Sequence, residues 1–344
     1  MNTSNHVMDQ NLLKIFKEGV LIDIDVRKWT GSKALVAEDL GLKAENVSKV
    51  FTLGHVDLVP KERINEFKRI EGQARVLVEK NSHPFPFGSA RFVTKRCFIK
   101  VLKELKELRA SYNTLIDDLV INYDKYRAEM QAEYKEAAEK AYITQAPELI
   151  EFGPGDLDTR EADFVNAYMA RINSYALPVS EIPGRFSLDW GIYSISLPGL
   201  NSSDGEDVIM DEETRLEIAE NCKNKVSAFM DNVVKVLREE TVEVCGHIRD
   251  SIVSGKVIRG PTIQSLRDFI DRYSDLNFLG DGRIGAQLED LRKELLEGHD
   301  DLGENEDLKS QLKVKLSGIV EIASNFTDIN SITGDYKRRI DWQG

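Results

Sequence analysis

Hydrophobic and polar residues alternate with two different periods along this chain. A step of two positions, typical of a strand, occurs where Val20, Ile22, Ile24 and Val26 alternate with their neighbours. In most other segments the step alternates between three and four positions, which places apolar residues on one side of a helix. The sequence therefore predicts a mainly α protein with a small α+β region that contains a short sheet.

Two long stretches carry apolar residues on a single helical face. The first runs from Cys97 to Tyr142 and, at about 1.5 Å per residue, would span about 70 Å. The second runs from Glu212 to Ser254. Because such a stripe is unstable in water, we expect the two helices to pack on each other around Leu105–Leu119 and Val226–Val236. This predicts long antiparallel helices in a bundle or a coiled-coil-like arrangement.

Breaking and capping residues mark several shorter helices. Pro60 opens one that extends to about Lys80, because proline is tolerated in the first turn of a helix. A helical turn is predicted at either 37–42 or 45–50. Further helices are predicted at Thr159–Tyr175, Ile263–Asp275, Gly285–Glu297 and Glu304–Phe326.

A second β signal lies far from the first one in the sequence. In Arg185–Leu197, apolar residues including Trp190 alternate with small or polar ones, which predicts a hairpin that turns near Gly191. A two-stranded hairpin is marginally stable in water by itself. We therefore expect this segment to pair with the strand at Val20–Val26 and Trp190 to lie in the resulting core.

These elements divide the chain into four predicted regions. Residues 1–96 together with 178–200 form the small mixed α+β region. The long helix and the helix that follows it occupy residues 97–177. An acidic loop and the second long helix occupy 201–260, and a helical C-terminal region occupies 261–344.

The charge of the chain bears on its partners. The sequence has 59 acidic residues against 46 lysines and arginines, a formal net charge of −13 over 344 residues. A surface of this charge repels phosphate backbones unless a strong basic patch overcomes it. The sequence has no long basic run, so nucleic acid is disfavoured as a partner.

Cysteine usage and hydropathy indicate the compartment. Cys97, Cys222 and Cys245 lie within helical apolar patterns and not at metal-ligand or disulfide-framework spacings, which is typical of a reducing compartment. The first residues do not resemble a signal peptide, and no run of about 18 apolar residues occurs. These features predict a cytoplasmic protein that does not enter a membrane.

One loop matches the sequence pattern of a nucleotide-binding motif without the predicted strand that the motif requires before it. Gly280, Gly282 and Gly285 fit the pattern GxGxxG, which requires a preceding strand within a βαβ unit. A helix is predicted before it, so we interpret the segment as a turn between helices. The same loop fails as a calcium site because Leu279 and Leu288 occupy positions that need oxygen ligands.

Other candidate chemistry is equally weak. The histidines are scattered, without the helical pairing that holds a metal; they are His6, His55, His83, His247 and His299. Three pairs of adjacent acids could in principle hold magnesium, although exposed helix faces commonly carry such pairs; they are Asp117-Asp118, Glu239-Glu240 and Asp300-Asp301. The sequence therefore predicts no catalytic, cofactor-binding or metal-binding residue.

Several segments resemble one protein family. They are Leu21–Gly31, Ala37–Leu42, Leu53–Pro60, Pro84–Gly88, Phe92-Val93, Tyr123–Tyr134 and Arg185–Trp190. In these segments the chain resembles an uncharacterised family of phage and prophage proteins, defined only as a domain of unknown function. It departs from the family pattern at His55 and Val56, where the family usually has two lysines.

The resemblance implies an origin in a phage or another mobile element and a location in the bacterial host cytoplasm. It also implies a setting near genes for a MoxR-type AAA+ ATPase and a von Willebrand A-type protein. We therefore expect a non-enzymatic helical interaction or adaptor protein that serves as an accessory subunit of an AAA+ ATPase system. The expected partner is one of those two proteins or a second copy of the chain. The alternatives are a metal-dependent hydrolase and a virion or assembly component.

Overall fold

The computed structural model describes residue 15 and residues 17–36, 54–86, 88–149, 157–194, 212–296 and 305–342. These residues form a mainly helical structure with two small β-sheets, which confirms the predicted fold class. The helices are α1 (Lys61–Lys80), α2 (Lys95–Leu149), α3 (Leu157–Ser174), α4 (Glu212–Val253), α5 (Gly260–Leu276), α6 (Gly282–Leu291), α7 (Glu306–Ala323) and α8 (Ile329–Trp342). A π-helical turn, Arg292–Leu296, follows α6.

The helices agree with the sequence pattern apart from one. Both long helices are confirmed as α2 and α4, and the shorter helices predicted from Pro60 onward are confirmed as α1, α3, α5, α6 and α7. The helix α8 was not predicted, because Thr333 and Gly334 lower the helix propensity of its middle. Burial of Tyr336 stabilises it instead. The turn predicted at 37–42 or 45–50 lies outside the described residues.

The strands build a sheet from distant parts of the chain. They are β1 (Gly19–Arg27), β2 (Ser32–Ala34), β3 (His55–Asp57), β4 (His83–Pro84), β5 (Arg91–Thr94) and β6 (Ser187–Tyr193). The four-stranded sheet has the order β4-β5-β1-β6, while β2 and β3 form a separate antiparallel pair. β1 runs antiparallel to β5, with Gly19 opposite Thr94 and Ile22 opposite Arg91.

The position of β6 confirms one prediction and corrects another. The strand at Val20–Val26 is present as part of β1, and the segment after Arg185 forms β6 beside it, as expected. The hairpin with a turn near Gly191 is wrong, because a single strand runs from Ser187 to Tyr193 with Gly191 inside it. Alternating apolar residues alone cannot distinguish one strand from two short ones.

The chain divides into two units of dense internal contacts. The first unit contains residues 1–23, 77–103 and 191–344, and the second contains residues 24–76 and 104–190. The division falls within β1, β6, α1 and α2. Each unit has its own buried core.

The core of the first unit is centred on α4. This helix packs most extensively against α7 and also contacts α5 and α8. Rings from the sheet side complete the core, since Phe92 packs against Phe229 and Phe278 with centroid distances of 5.6 and 5.1 Å. The segment Val226–Val236, which we expected to pack on Leu105–Leu119, is thus covered by other helices. The latter segment belongs to the second unit.

The core of the second unit is built on α1 and α2. Phe67 of α1 stacks on Phe186 at a centroid distance of 4.4 Å and meets Tyr112 of α2 edge-on at 5.1 Å. The Tyr112 hydroxyl donates a hydrogen bond of 2.8 Å to the carbonyl of Arg27. These contacts fix the end of β1 against α2, and the residues that follow β1 therefore begin from a defined position.

Candidate functional site

The second unit contains a cleft of about 500 Å³ that is lined by both polar and apolar side chains. One wall is the segment after β1, with Lys28, Trp29, Thr30 and Ser32. The second wall is β3, which contributes His55 and Asp57, and the third is one face of the first two turns of α1, with Lys61, Ile64, Asn65 and Lys68. The cleft is thus formed where a strand end, a short sheet and a helix meet.

Gly31 lets the first wall lie close to α1. Its φ angle is +68°, in the left-handed region, and a Cβ atom there would lie 2.6 Å from Ile64 Cγ1. The Gly31 carbonyl accepts a hydrogen bond of 2.7 Å from the backbone N–H of Leu58. Ser32 and Asp57 are then opposite each other in the β2–β3 pair. This geometry holds the first two walls together.

Tyr134 of α2 holds the β3 wall in place. Its hydroxyl accepts a hydrogen bond of 2.8 Å from the Asp57 N–H and donates one of 3.0 Å to the Asp57 carbonyl. Burial raises the pKa of the Tyr134 hydroxyl, which keeps it protonated and able to donate. Both backbone groups of Asp57 are therefore satisfied by one side chain.

Positive charge dominates the lining of the cleft. Lys28, Lys61 and Lys68 face one carboxylate, Asp57, in a chain whose formal net charge is −13. Lys61 forms an ion pair of 3.1 Å with Asp57, but its side chain is 73% exposed and can reorient. Lys68 makes no ion pair with any described residue. The cleft is therefore a local cationic site in an acidic protein.

Lys28 is positioned by a carboxylate outside the cleft lining. Its ammonium group forms an ion pair with Glu71, which also accepts a hydrogen bond of 3.1 Å from Arg75. Burial alone raises the pKa of the Glu71 carboxyl, but the hydrogen bonds from Lys28 and Arg75 outweigh it and leave the pKa below its usual value. Glu71 is thus ionised at neutral pH and holds the Lys28 side chain beside the cleft through the ion pair.

Trp29 supplies the aromatic part of the lining. The side chain is half-buried and packs against the small core of Val56, Leu58 and Ile172. Its ring also contacts Tyr123 at a centroid distance of 6.4 Å. These contacts hold the ring in place, and the ring also borders the cleft. A flat ligand could therefore meet a preformed aromatic surface beside the lysines.

The glycine-rich loop is a connection between helices, as the sequence indicated. Gly280 and Asp281 lie between α5 and α6, and the Asn277 side chain bonds to both backbone groups of Asp281 at 2.9 and 3.1 Å. The Asp281 carboxylate is buried and pairs with Arg238 at 2.8 Å. This loop belongs to the core of the first unit.

The scattered histidines and acids do not form a metal site in the part of the chain that is described. No group of three His, Cys, Asp or Glu side chains is close enough there to hold an ion. His83 is buried, whereas His247 is exposed. Glu240 pairs with Arg272, and Asp118 accepts a hydrogen bond of 3.0 Å from Tyr126. His6, His299 and the pair Asp300-Asp301 lie outside the described residues.

Comparison with known families identifies this chain. A family model described as "Protein of unknown function (DUF3150)" matches residues 16–275. The chain belongs to this family. Searches of curated proteins and of solved structures find no match. Among the described helices of this DUF3150 protein, none is both long and apolar enough to cross a membrane.

The DUF3150 match includes every residue that lines the cleft, but it ends before α6. Sequence reasoning missed the cleft. One signal was present, because Lys61, Asn65 and Lys68 lie on one face of a predicted helix. The proximity of Lys28 and Trp29 to that face depends on Gly31 and on the β2–β3 pair, which the sequence pattern did not reveal.

Proposed function

We propose that this DUF3150 protein is a non-enzymatic interaction protein that recognises an anionic group in the cleft of the second unit. One observation carries the proposal: three lysines and one carboxylate line the cleft of an otherwise acidic protein. An acidic surface repels anions, so a local excess of cations favours an anion at that place.

The resemblance to phage and prophage proteins supports a more specific form of this proposal. In that form the protein comes from a phage or another mobile element and acts as an adaptor for a MoxR-type AAA+ ATPase or a von Willebrand A-type protein. The helices α2 and α4, with 55 and 42 residues, offer long surfaces for such a partner. The cleft adds a site whose occupancy can control that association.

Recovery of a partner tests the proposal. Tagged protein is purified from host cells that express the neighbouring genes, and the associated proteins are identified by mass spectrometry. We expect the AAA+ ATPase or the von Willebrand A-type protein with the wild type and at least tenfold less with the double variant Lys61→Glu and Lys68→Glu. The control is Lys293→Glu with Lys313→Glu, which makes the same charge change at exposed positions outside α2 and α4.

The two double variants separate a cleft effect from general repulsion. Both must show the wild-type unfolding temperature within a few degrees, since all four lysines are exposed. Equal recovery of the partner with the cleft variant and the control would contradict the role of the cleft. Recovery of neither protein by the wild type would contradict the adaptor proposal itself.

A further inference from the structure

We propose that the anionic group bound in the cleft is the phosphate chain of a nucleotide, whose base stacks on Trp29. This inference rests on the anion-binding role proposed above and names the ligand. It follows from three features of the cleft: its lysines, its aromatic wall and the bonded backbone of β3.

The lysines suit phosphate. Lys61 and Lys68 lie two turns apart on one face of α1, with Asn65 between them, and Lys28 borders the same cleft. An ammonium group acts as a point charge that can approach any phosphate oxygen, and lysine is a common phosphate-binding residue for this reason. The Ser32 hydroxyl adds a further donor, whereas the Thr30 hydroxyl already donates a hydrogen bond of 3.2 Å to the Ser32 carbonyl.

The aromatic wall suits a base. Trp29 is held by its contacts with Tyr123 and with the small core that contains Val56, so its ring does not need to reorganise on binding. Bases of any sequence stack on such a ring, since each has a π-face. The volume of about 500 Å³ falls within the range of about 300–1,000 Å³ that is common for small-ligand sites.

An acidic peptide fits the cleft less well. An extended peptide binds along a sheet by bonding to free backbone groups of the edge strand. At Asp57 of β3, however, the N–H and the carbonyl are both bonded to the Tyr134 hydroxyl. A peptide would have to displace this contact, while a nucleotide needs only the side chains.

Binding to the full-length chain tests the inference. Titrations at about 0.1 M salt, where surface charges are still felt, use ATP, tripolyphosphate and a hexaglutamate peptide, with heat and tryptophan fluorescence as readouts. We expect saturable ATP binding with quenching of fluorescence. Lys68→Glu should weaken ATP binding at least tenfold, whereas Lys125→Glu, a matched exposed control, should leave it unchanged.

The variant Trp29→Phe tests how much the base contributes to binding. It keeps an aromatic side chain in the core, and we expect it to weaken ATP binding severalfold without a change in tripolyphosphate binding. The quenching of fluorescence by ATP should also be lost, because Trp29, which borders the cleft, has been replaced. Equal binding of ATP and tripolyphosphate by the wild type would overturn the stacking of a base on Trp29.

The remaining outcomes separate this inference from the proposed function. Binding of hexaglutamate but not ATP would overturn the inference that the ligand is a nucleotide, and it would still support an anion-binding site in the cleft. Absence of binding by all three ligands would overturn the nucleotide inference, while recovery of the partner still decides the adaptor role. ATP binding without any recovered partner would leave the nucleotide site supported and contradict the adaptor proposal.

Discussion

Arg238 Nε donates a hydrogen bond of 2.8 Å to Asp281 Oδ2, and the two side chains are only 0% and 3% exposed. Arg238 also pairs with Asp328, and its hydrogen bond holds the pKa of the Asp328 carboxyl below the usual value. Arg238 lies within the family match, which ends at residue 275, but both carboxylates lie beyond it. The C-terminal helices therefore complete the core of the family region.

Replacement of Arg238 by methionine should destabilise the first unit strongly. The change leaves the Asp281 carboxylate buried without its cation, a situation that costs about 3–5 kcal/mol. The free energy of unfolding, measured in urea, should fall by that amount. The double variant Arg238→Met with Asp281→Leu should recover much of the loss because it removes both charges.

The variant Arg338→Met is the matched control for this prediction. Arg338 pairs with Asp335 at the surface, where both side chains are more than half exposed. Loss of such a pair costs less than about 1 kcal/mol. A similar small loss for Arg238→Met would show that the buried pair contributes little.

The stability of the first unit should depend on the protonation of His83. The ring is buried beside Phe229 and Phe278, and its Nε2 lies 3.0 Å from the Leu276 carbonyl, so the neutral ring donates from Nε2. Burial and, to a smaller extent, the nearby Arg91 together lower the pKa of His83 from 6.5 to about 4, against the opposing effect of the hydrogen bond to Leu276.

The sign of the pH dependence follows from this lowered pKa. Between pH 6.5 and about pH 4 the unfolded chain binds a proton at His83 that the folded chain does not, so stability falls as the pH falls. The loss approaches roughly 3 kcal/mol at and below the folded pKa. Urea unfolding at several pH values should show a smaller slope for His83→Gln, while the exposed control His247→Gln should retain the wild-type slope.

Gly31 should not tolerate alanine. A side chain at φ +68° is strained, and its Cβ would lie 2.6 Å from Ile64 Cγ1; together these effects should cost about 2 kcal/mol or more. Gly72 is the control, because it lies inside α1 and a Cβ atom added there would meet no other atom within 4 Å outside the helix's own nearby backbone. Gly72→Ala should stabilise the protein by about 0.5–1 kcal/mol. Thermal unfolding of both variants checks that the two changes in stability have opposite signs.

In β6 the larger loss of stability should come from Leu188 and not from Trp190. Leu188 is buried in the second unit, so its replacement by alanine should cost about 2–5 kcal/mol. We expected Trp190 in the core, but it is half-buried, with the Arg109 guanidinium 4.6 Å from its ring centroid. Trp190→Ala should therefore cost only about 1–2 kcal/mol. A larger loss for Trp190→Ala in chemical denaturation would reverse this assignment.

The helices were predictable because their signals are local. Pro60 marks the start of α1 and the three-four spacing marks α2, so neither requires knowledge of the rest of the fold. The pairing of β1 with β6 was also predicted, because few segments have the period of a strand and two of them must cover each other. The helix that packs against α4 was not predicted, since an apolar stripe shows which face of a helix is buried but not which helix covers that face.

The cleft shows more clearly which features could not be predicted from the sequence. Lys28 and Lys68 are ordinary surface lysines by sequence, and their proximity depends on a glycine with positive φ and on a hydrogen bond from Leu58 to Gly31. The burial of Arg238 was equally hidden, because its partner Asp281 lies 43 residues away in a glycine-rich turn. Long-range polar contacts of this kind leave no periodic pattern in the sequence.

The interleaving of the two units bears on how the chain folds during its synthesis. All residues of the second unit have been made once residue 190 is added, but the first unit still lacks residues 191–344. A ribosome that adds about 5–20 residues per second needs roughly 8–30 s for that remainder. Phe92 lacks one or both of its partners Phe229 and Phe278 for the first part of this interval, until residue 278 has been added. The nascent chain thus exposes an aromatic segment that ribosome-associated chaperones can bind until α4 and α5 emerge.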